Sequence, residues 1–409
     1  MKNIYKLATV SLISLAAANA NAAGYQLNEY SVTNLGRSFA GVGVAGDDYS
    51  ALAYNPAGMT LVKKSGVQVG STLTQVRSKA QGQGAYAGQK TDMDFLIPLP
   101  SAFGQYNVND KVFLGAGIYV PFGLATRYKH DSFVAQNGSG PRKSELEVID
   151  LNFSGAYKFD NSWSLGASAI FRRITGSLTS NLPVGGYSDF RVKGYTGTFN
   201  IGAMYEFNEN ARVGLSYRHK SIQKTSGKHY IEGSPVAILN GIHHSSSDPE
   251  LPASVILSGY VKTAEKWATT ATVKYTLWHR FNVFPGKTTQ FLLNGGNLDV
   301  PYRWKDSWNV ALGEDYYLND NWTIRFGTSY DQSPSRNNAY RTNRIPDTDR
   351  IWASLGASYI KDNYQVDFGY AHLFFVHGRT LGQPVARPDA DAKYHSYSNM
   401  LGVNFQYKF

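Results

Sequence analysis

The sequence predicts an all-β fold: a 14-stranded antiparallel transmembrane β-barrel with an N-terminal hatch, or plug, inside the lumen. Three observations predict it. Apolar residues recur with period two along most of the chain, the alternating segments are joined by tight connections that alternate with longer ones, and no run of 18 or more apolar residues could cross a bilayer as a helix.

Composition agrees with this reading. With 17% charged residues and a mean hydropathy of −0.33, the chain is too polar on average for a helical membrane protein, while 42% hydrophobic and 14% aromatic residues exclude a disordered one. At about 150 residues per domain, 409 residues would suggest two or three domains, but a large barrel runs as one unit. Cysteine is absent, which excludes disulfides, thiolate metal sites and cysteine nucleophiles. The formal charge of +10 suits nucleic acid, anionic lipid or an anionic ligand equally.

Residues 1–22 read as a signal peptide. Lys2 and Lys6 precede a stretch of apolar and small residues at 7–18, followed by Ala20-Asn21-Ala22 as a small-x-small cleavage site. Twelve residues of helix span roughly 18 Å against a bilayer core of about 30 Å, too little for an anchor. The mature chain is expected to begin at Ala23 and, without Lys2 and Lys6, to carry +8.

Residues 23–64 have another texture. Glycines and small residues predominate, yet Leu27, Leu35, Phe39, Leu52, Tyr54 and Met59 are too many apolar anchors for a solvated tail. A fourteen-strand barrel leaves a lumen too wide for its own side chains, so a compact hatch is expected there. Asn55-Pro56-Ala57 reads as a turn that anchors it, the proline presetting one dihedral and Asn bonding nearby backbone.

The barrel is expected over residues 65–409, with strands at 66–77, 96–107, 111–127, 144–159, 162–180, 189–206, 210–225, 251–263, 266–283, 303–318, 321–332, 348–361, 364–377 and 393–409. The alternation is plain at Trp322, Ile324, Phe326 and Tyr330 against Thr323, Arg325, Gly327 and Asp331, and at Leu401, Val403, Phe405, Tyr407 and Phe409 against Gly402, Asn404, Gln406 and Lys408. Such strands have one face for lipid and one for a polar lumen. A soluble propeller or sandwich would use shorter strands and turn its apolar face inward. Tyr157, Phe159, Trp163, Trp267 and Trp322 stand near strand ends, as an interfacial girdle would. Stretches 78–94 and 128–143 are expected as exposed loops. In the third strand, Val120-Pro121-Phe122-Gly123 interrupts the pattern: Pro121 cannot donate to a ladder and Gly123 permits a bend, so a kink or bulge is expected.

Several segments together resemble the FadL family of outer-membrane transporters for long-chain fatty acids and other hydrophobic compounds. They are the mature start Ala23-Gly24-Tyr25-Gln26-Leu27-Asn28-Glu29, Leu35-Gly36-Arg37, Asn55-Pro56-Ala57, Phe122-Gly123-Leu124-Ala125-Thr126, LNFSGAY at 151–157, Trp304-Lys305-Asp306, Asp320-Asn321-Trp322-Thr323 and Ile345-Pro346-Asp347-Thr348-Asp349-Arg350. The resemblance spans nearly the whole mature chain. It implies passive, ligand-gated uptake by a monomer in the bacterial outer membrane, with a pocket against the hatch N-terminus and sideways exit into outer-membrane lipid through a kinked third strand. Tyr25 and Leu27 would contact the ligand, Lys305 and Arg173 are candidate cations for a carboxylate head group, and Pro121, Phe122 and Gly123 would form the lateral opening. Gly123 falls on the family's motif position; Pro121 departs from the pattern in a way that reinforces a kink. The ligand is left as either a long-chain fatty acid or an aromatic hydrocarbon. Alternatives are a water-filled general porin or an adhesin-type surface barrel.

Signals for chemistry are sparse. His243-His244 lacks further ligands at metal-binding spacing, Gly-x-Ser-x-Gly does not occur, and the Gly-rich stretch at 82–88 does not join a strand to a helix. No enzyme activity, catalytic residue, cofactor, metal or nucleic-acid partner is expected.

Overall fold

The computed structural model describes residues 24–137, 140–160, 162–376, 378–380 and 390–409; the expected signal peptide, residues 1–22, lies outside them. The wall consists of β1 Gly66–Gly82, β2 Lys90–Asn107, β3 Val112–Arg127, β4 Pro141–Lys158, β5 Trp163–Asn181, β6 Tyr187–Asn208, β7 Ala211–Arg218, β8 Ser254–Ala264, β9 Trp267–Thr276, β10 Ser307–Tyr317, β11 Trp322–Asp331, β12 Arg350–Lys361, β13 Tyr364–Phe375 and β14 Ala392–Lys408. Each pairs antiparallel with the next, and β14 closes on β1 from Gly66↔Lys408 to Gly82↔Ala392. Closure of β14 on β1 leaves the wall without a terminal edge strand.

Alternation sets the two faces. Val69, Phe171, Phe368 and Leu401 point out and are exposed, whereas Gln68, Arg172, Asp367 and Asn404 point in and are buried. The girdle residues Tyr157, Phe159, Trp163, Trp267 and Trp322 are exposed at the end where the tight turns lie, together with Tyr106, Phe207, Tyr364 and Phe409. Tight turns beside an aromatic girdle are the pattern expected at the periplasmic rim of an outer-membrane barrel.

Strand boundaries differ from the sequence reading at the opposite end. Residues 78–94, expected as loop, are mostly strand: β1 and β2 stay paired to Gln81↔Lys90. Arg77, Lys79, Asp92 and Asp94 make the outer face polar there, so the period-two signal fades although the ladder continues. Within 128–143, Phe133–Gln136 forms one helical turn and β4 begins at Pro141. The strands expected to reach 225 and 283 end at Arg218 and Thr276, beyond which Thr225–Glu232 and Gly241–Ser247 extend the wall outward.

The N-terminal segment fills the lumen and is buried almost throughout. It contains two short helices, α1 Val32–Leu35 and α2 Ala51–Tyr54, and a 3-10 turn at Pro56–Leu61. Ser31 caps α1 by accepting from the Asn34 amide at 3.1 Å. The wall makes room with glycine: a Cβ at Gly202 would overlap the Asn55 Oδ1, and one at Gly166 would press on the Ala57 nitrogen. Asn55 accepts from Ala57 N at 3.1 Å and donates to the Ala203 carbonyl of β6 at 3.2 Å.

A buried charge network holds the other side. Arg37 donates to Asp47 of the hatch at 2.9 Å and to Asp315 of β10 at 2.7 Å, while Arg325 of β11 donates to Asp47 at 3.0 Å. Burial opposes the Arg37 charge, but Asp315 and Asp47 more than offset it and hold its pKa above the ordinary range. Two guanidiniums against two carboxylates leave the cluster neutral, with Arg37, Arg325 and Asp315 buried and Asp47 partly exposed at its edge.

Arg37→Met breaks this network from the hatch side. The variant should lose about 3 kcal/mol, the low end for a broken buried pair because Arg325 still faces both carboxylates. A lower thermal unfolding temperature and new steady ion conductance in planar bilayers would report it.

Candidate functional site

The site begins where β2 and β3 part. They are paired from Asn107↔Phe113 to Ala102↔Ile118, and among the described residues the ladder stops there. On its other side β3 stays paired with β4, but the register shifts between Tyr119 and Phe122: an extra residue is accommodated at Val120-Pro121. This is the expected bulge. It also exchanges the parity of β3, so odd-numbered residues beyond it turn their backbone groups away from β4.

Those groups meet the hatch. Leu27 N donates to Pro121 O at 2.8 Å, Gly123 N donates to Tyr25 O at 2.9 Å, and Gln26 lies directly opposite Phe122. Residues 25–27 thus take the place that β2 vacates. All eight residues 119–126 are buried, whereas a wall strand would alternate. Farther out β3 returns to β2: Arg127 N reaches the Met93 sulfur at 3.4 Å, the Arg127 guanidinium sits 5.6 Å from the Phe95 ring, and Lys129 pairs with Asp92 at 3.4 Å. The result is a framed split in the wall, with the inward-facing Ile97 and Leu99 of β2 on one side and the kinked β3 on the other.

Two arginines brace the kink from within. Asp150 of β4 accepts from Arg172 at 2.6 and 2.8 Å and from Arg218 at 3.3 Å. Arg172 lies 5.2 Å from the Phe122 ring, and Arg218 donates to the Tyr119 hydroxyl at 2.6 Å. The residues flanking Val120-Pro121 are therefore both held by side chains anchored on one carboxylate.

Above the hatch N-terminus is an apolar cleft. Tyr25 forms part of its floor, and Leu124, Leu146, Ile174, Phe281 and Tyr302 are among its walls. The space between them is a narrow slot of about 40 Å³. Tyr25 packs among Phe122, Trp278, Phe281 and Trp304, at ring-centroid distances of 6.0, 4.9, 5.5 and 5.6 Å. Arg344, in the loop between β11 and β12, borders the cleft and donates to Ser144 at 3.1 Å and to Ser180.

The structure brings together Tyr25, Leu27, Pro121, Phe122 and Gly123, and places the other candidates elsewhere. Arg173 projects from the exposed face of β5, opposite to its neighbour Arg172, and Lys305 is half-exposed outside the cleft, where the buried Trp304 beside it contacts Tyr25. Asn55, Pro56 and Ala57 sit at the far end of the hatch, against β5 and β6. His243 and His244 lie in the outer Gly241–Ser247 strand, and no metal-holding cluster of three or more His, Asp or Glu occurs among the described residues. Sequence reasoning missed Arg172, Arg218, Asp150 and Arg344. Parity could have found the first: with Phe171 facing lipid, Arg172 must face the lumen.

Three buried carboxyls in and against the hatch are unusual. Burial pushes Glu29 up to about 7 and Asp48 up to about 6, the latter aided by the charge of Asp47. Asp347, which accepts from Gly24 N at 3.0 Å and Ser333 Oγ at 2.6 Å, is also pushed up to about 6 by burial, against the pull of Arg350.

Comparison with known proteins places this geometry in context. A family model described as "Outer membrane protein transport protein (OMPP1/FadL/TodX)" matches residues 13–409. The chain is 29% identical to the long-chain fatty acid transport protein of Escherichia coli O6:H1, over 99% of this chain and 98% of that one. It is 30% identical to outer membrane protein P1 of Haemophilus influenzae over the full length of both. Among solved structures, a Pseudomonas aeruginosa FadL homologue superposes with a TM-score of 0.86 at 23% identity, covering 95% of this chain and 100% of that one. The P. putida toluene transporter TodX gives 0.71 at 17%, covering 93% and 98%. At these identities the two structures speak to the fold.

The raised carboxyls make the hatch pH-sensitive. A carboxyl whose pKa is higher folded than unfolded stabilises the fold fully below its ordinary pKa and ceases to do so as pH rises through the folded value. For Glu29, Asp48 and Asp347 that loss begins near the ordinary carboxyl value and is complete by about 6 to 7. Amides of residues 24–50 should therefore be better protected from hydrogen exchange at pH 5.5 than at pH 8, after correction for intrinsic rates, and Glu29→Gln with Asp48→Asn should flatten the difference.

Proposed function

The chain belongs to the OMPP1/FadL/TodX family of outer-membrane transporters for hydrophobic compounds, which is not an enzyme family, and from that premise we propose that it takes up long-chain fatty acids by passive, ligand-gated diffusion with lateral exit between β2 and β3. The observation that carries the reading is the double position of Tyr25: its ring is part of the cleft floor, and its carbonyl accepts the Gly123 amide on the open edge of β3. A ligand that widens the cleft moves Tyr25 and loosens the strand that covers the split. A methylene chain is wider than water, so it enters this slot by parting the walls.

Magnitudes favour a long chain over a single ring. Four ring contacts at about 0.5–1.5 kcal/mol each and two backbone hydrogen bonds of similar worth make displacing Tyr25 cost on the order of 6 kcal/mol. Burying about fifteen methylenes at ~0.8 kcal/mol each exceeds that, whereas burying one Phe-sized ring yields about 1.5–3 kcal/mol and does not. The toluene transporters share the fold, but the tightly closed cleft of this chain suits a ligand with more surface to bury. Arg344 supplies the cation. Its guanidinium borders the cleft, where it donates to the hydroxyls of Ser144 and Ser180, and a carboxylate head group entering the cleft meets it there.

Competitive binding to the purified barrel tests this. Arg344→Gln should weaken palmitate at least tenfold, the equivalent of a charge-assisted hydrogen bond of about 1.5–3 kcal/mol, and leave hexadecanol within twofold. Equal loss for acid and alcohol, or tighter binding of toluene than of palmitate by the unaltered protein, would overturn the proposal.

A further inference from the structure

The lip of the split that faces β3 belongs to β2, and its backbone can be followed residue by residue. The hairpin bond from Val108 N to Val112 O assigns the even-numbered residues of β2 to the β3 side, and the register Tyr106↔Leu114, Gly104↔Ala116, Ala102↔Ile118 continues the set. Pairing with β1 runs from Gly66↔Gln105 to Gln81↔Lys90 without a shift, so parity is kept along the whole strand. The next two residues that would face β3, opposite the Val120-Pro121 bulge and Gly123 had the ladder continued, are 100 and 98. Both are proline.

This placement differs from a strand breaker that happens to be tolerated. A proline whose missing N–H faced β1 would remove a bond from a continuous ladder, but here both gaps fall on the open side. Together with Pro121, whose carbonyl accepts from Leu27, prolines stand on both lips of the split. The consequence concerns the moment when residues 25–27 leave the edge of β3. A β2 lip carrying ordinary amides could then bond to β3 and close the wall, and any amide left unbonded would stand bare in a passage lined by Ile97 and Leu99, an unfavourable state in an apolar medium.

We propose that Pro98 and Pro100 are positioning residues of the lateral exit: by removing the two N–H donors next to the last bonded pair, they prevent β2 from zipping onto β3 when the hatch tip is displaced. The proposal rests on the lateral-exit reading above, and its test separates the two.

The test uses the full-length protein carrying Pro98→Val and Pro100→Thr, with three readouts: palmitate uptake by cells, palmitate binding by the purified barrel, and hydrogen exchange at the two new amides with palmitate bound. The proposal expects both amides to be protected, uptake to fall at least fivefold and binding to stay within twofold. Free exchange at 98 and 100 with palmitate bound, whatever the uptake, overturns the proposal and leaves the lateral exit standing. Protected amides with unchanged uptake mean that the lip has closed and the substrate leaves elsewhere, which overturns the lateral exit and the role of the prolines with it. Should the double variant fail to assemble, Pro100→Thr alone, adjacent to Ala102↔Ile118, is expected to give a protected amide at 100 and at least a twofold loss.

Discussion

Within a bilayer each backbone amide of a barrel wall needs a partner from the wall itself, because lipid offers none. The stretch of β3 from Tyr119 to Thr126 has withdrawn from β2, and the structure resolves the deficit with the hatch: residues 25–27 bond to Pro121 and Gly123 as a third strand would. Much of the site follows from that substitution. The bulge at Val120-Pro121 turns the correct groups toward the hatch, the Asp150 cluster holds Tyr119 and Phe122 on either side, and Tyr25 is drawn to the position where it also floors the apolar cleft.

The hatch is tied unequally along its length. Its base interlocks with the wall through glycine-lined recesses at Gly166 and Gly202 and through the Arg37, Asp47, Asp315 and Arg325 network. Its tip bonds to β3 through two backbone hydrogen bonds, supplemented by ring packing and by the Asp347 contact to Gly24. Local opening follows such differences, since segments with fewer buried compensated contacts open at lower free energy. A ligand can therefore move the tip while the base remains seated.

Much of this was legible in the sequence, and the failures have physical causes. Alternation located the barrel strands because lipid on one side and lumen on the other impose period two, and Pro121 with Gly123 marked the bulge because their backbone chemistry has few other uses in a strand. The outer ends of β1 and β2 lose the period-two signal because their outward face turns polar at Arg77, Lys79, Asp92 and Asp94, although the ladder persists. Arg173 and Arg172 are adjacent on β5, and strand parity turns Arg172 to the lumen and Arg173 to the exposed face. Lys305 follows the residue that matters, Trp304, and Arg344 reaches the cleft from a loop whose path no periodicity encodes. Pro98 and Pro100 were visible as residues, but their meaning depends on which side of β2 their nitrogens face.

The central claim is that the hatch tip must leave β3 for transport to occur. Gln26 and Phe122 are directly opposed between the two bonds that join the segments, a narrow pair whose Cα atoms stand about 4.5 Å apart and within disulfide reach. The chain has no cysteine of its own, so Gln26→Cys with Phe122→Cys creates a single possible bridge. Palmitate uptake measured before and after reduction is the direct test. The account predicts that the oxidised barrel is inactive and that reduction restores uptake to the level of the two single variants; full uptake with the bridge intact would contradict it.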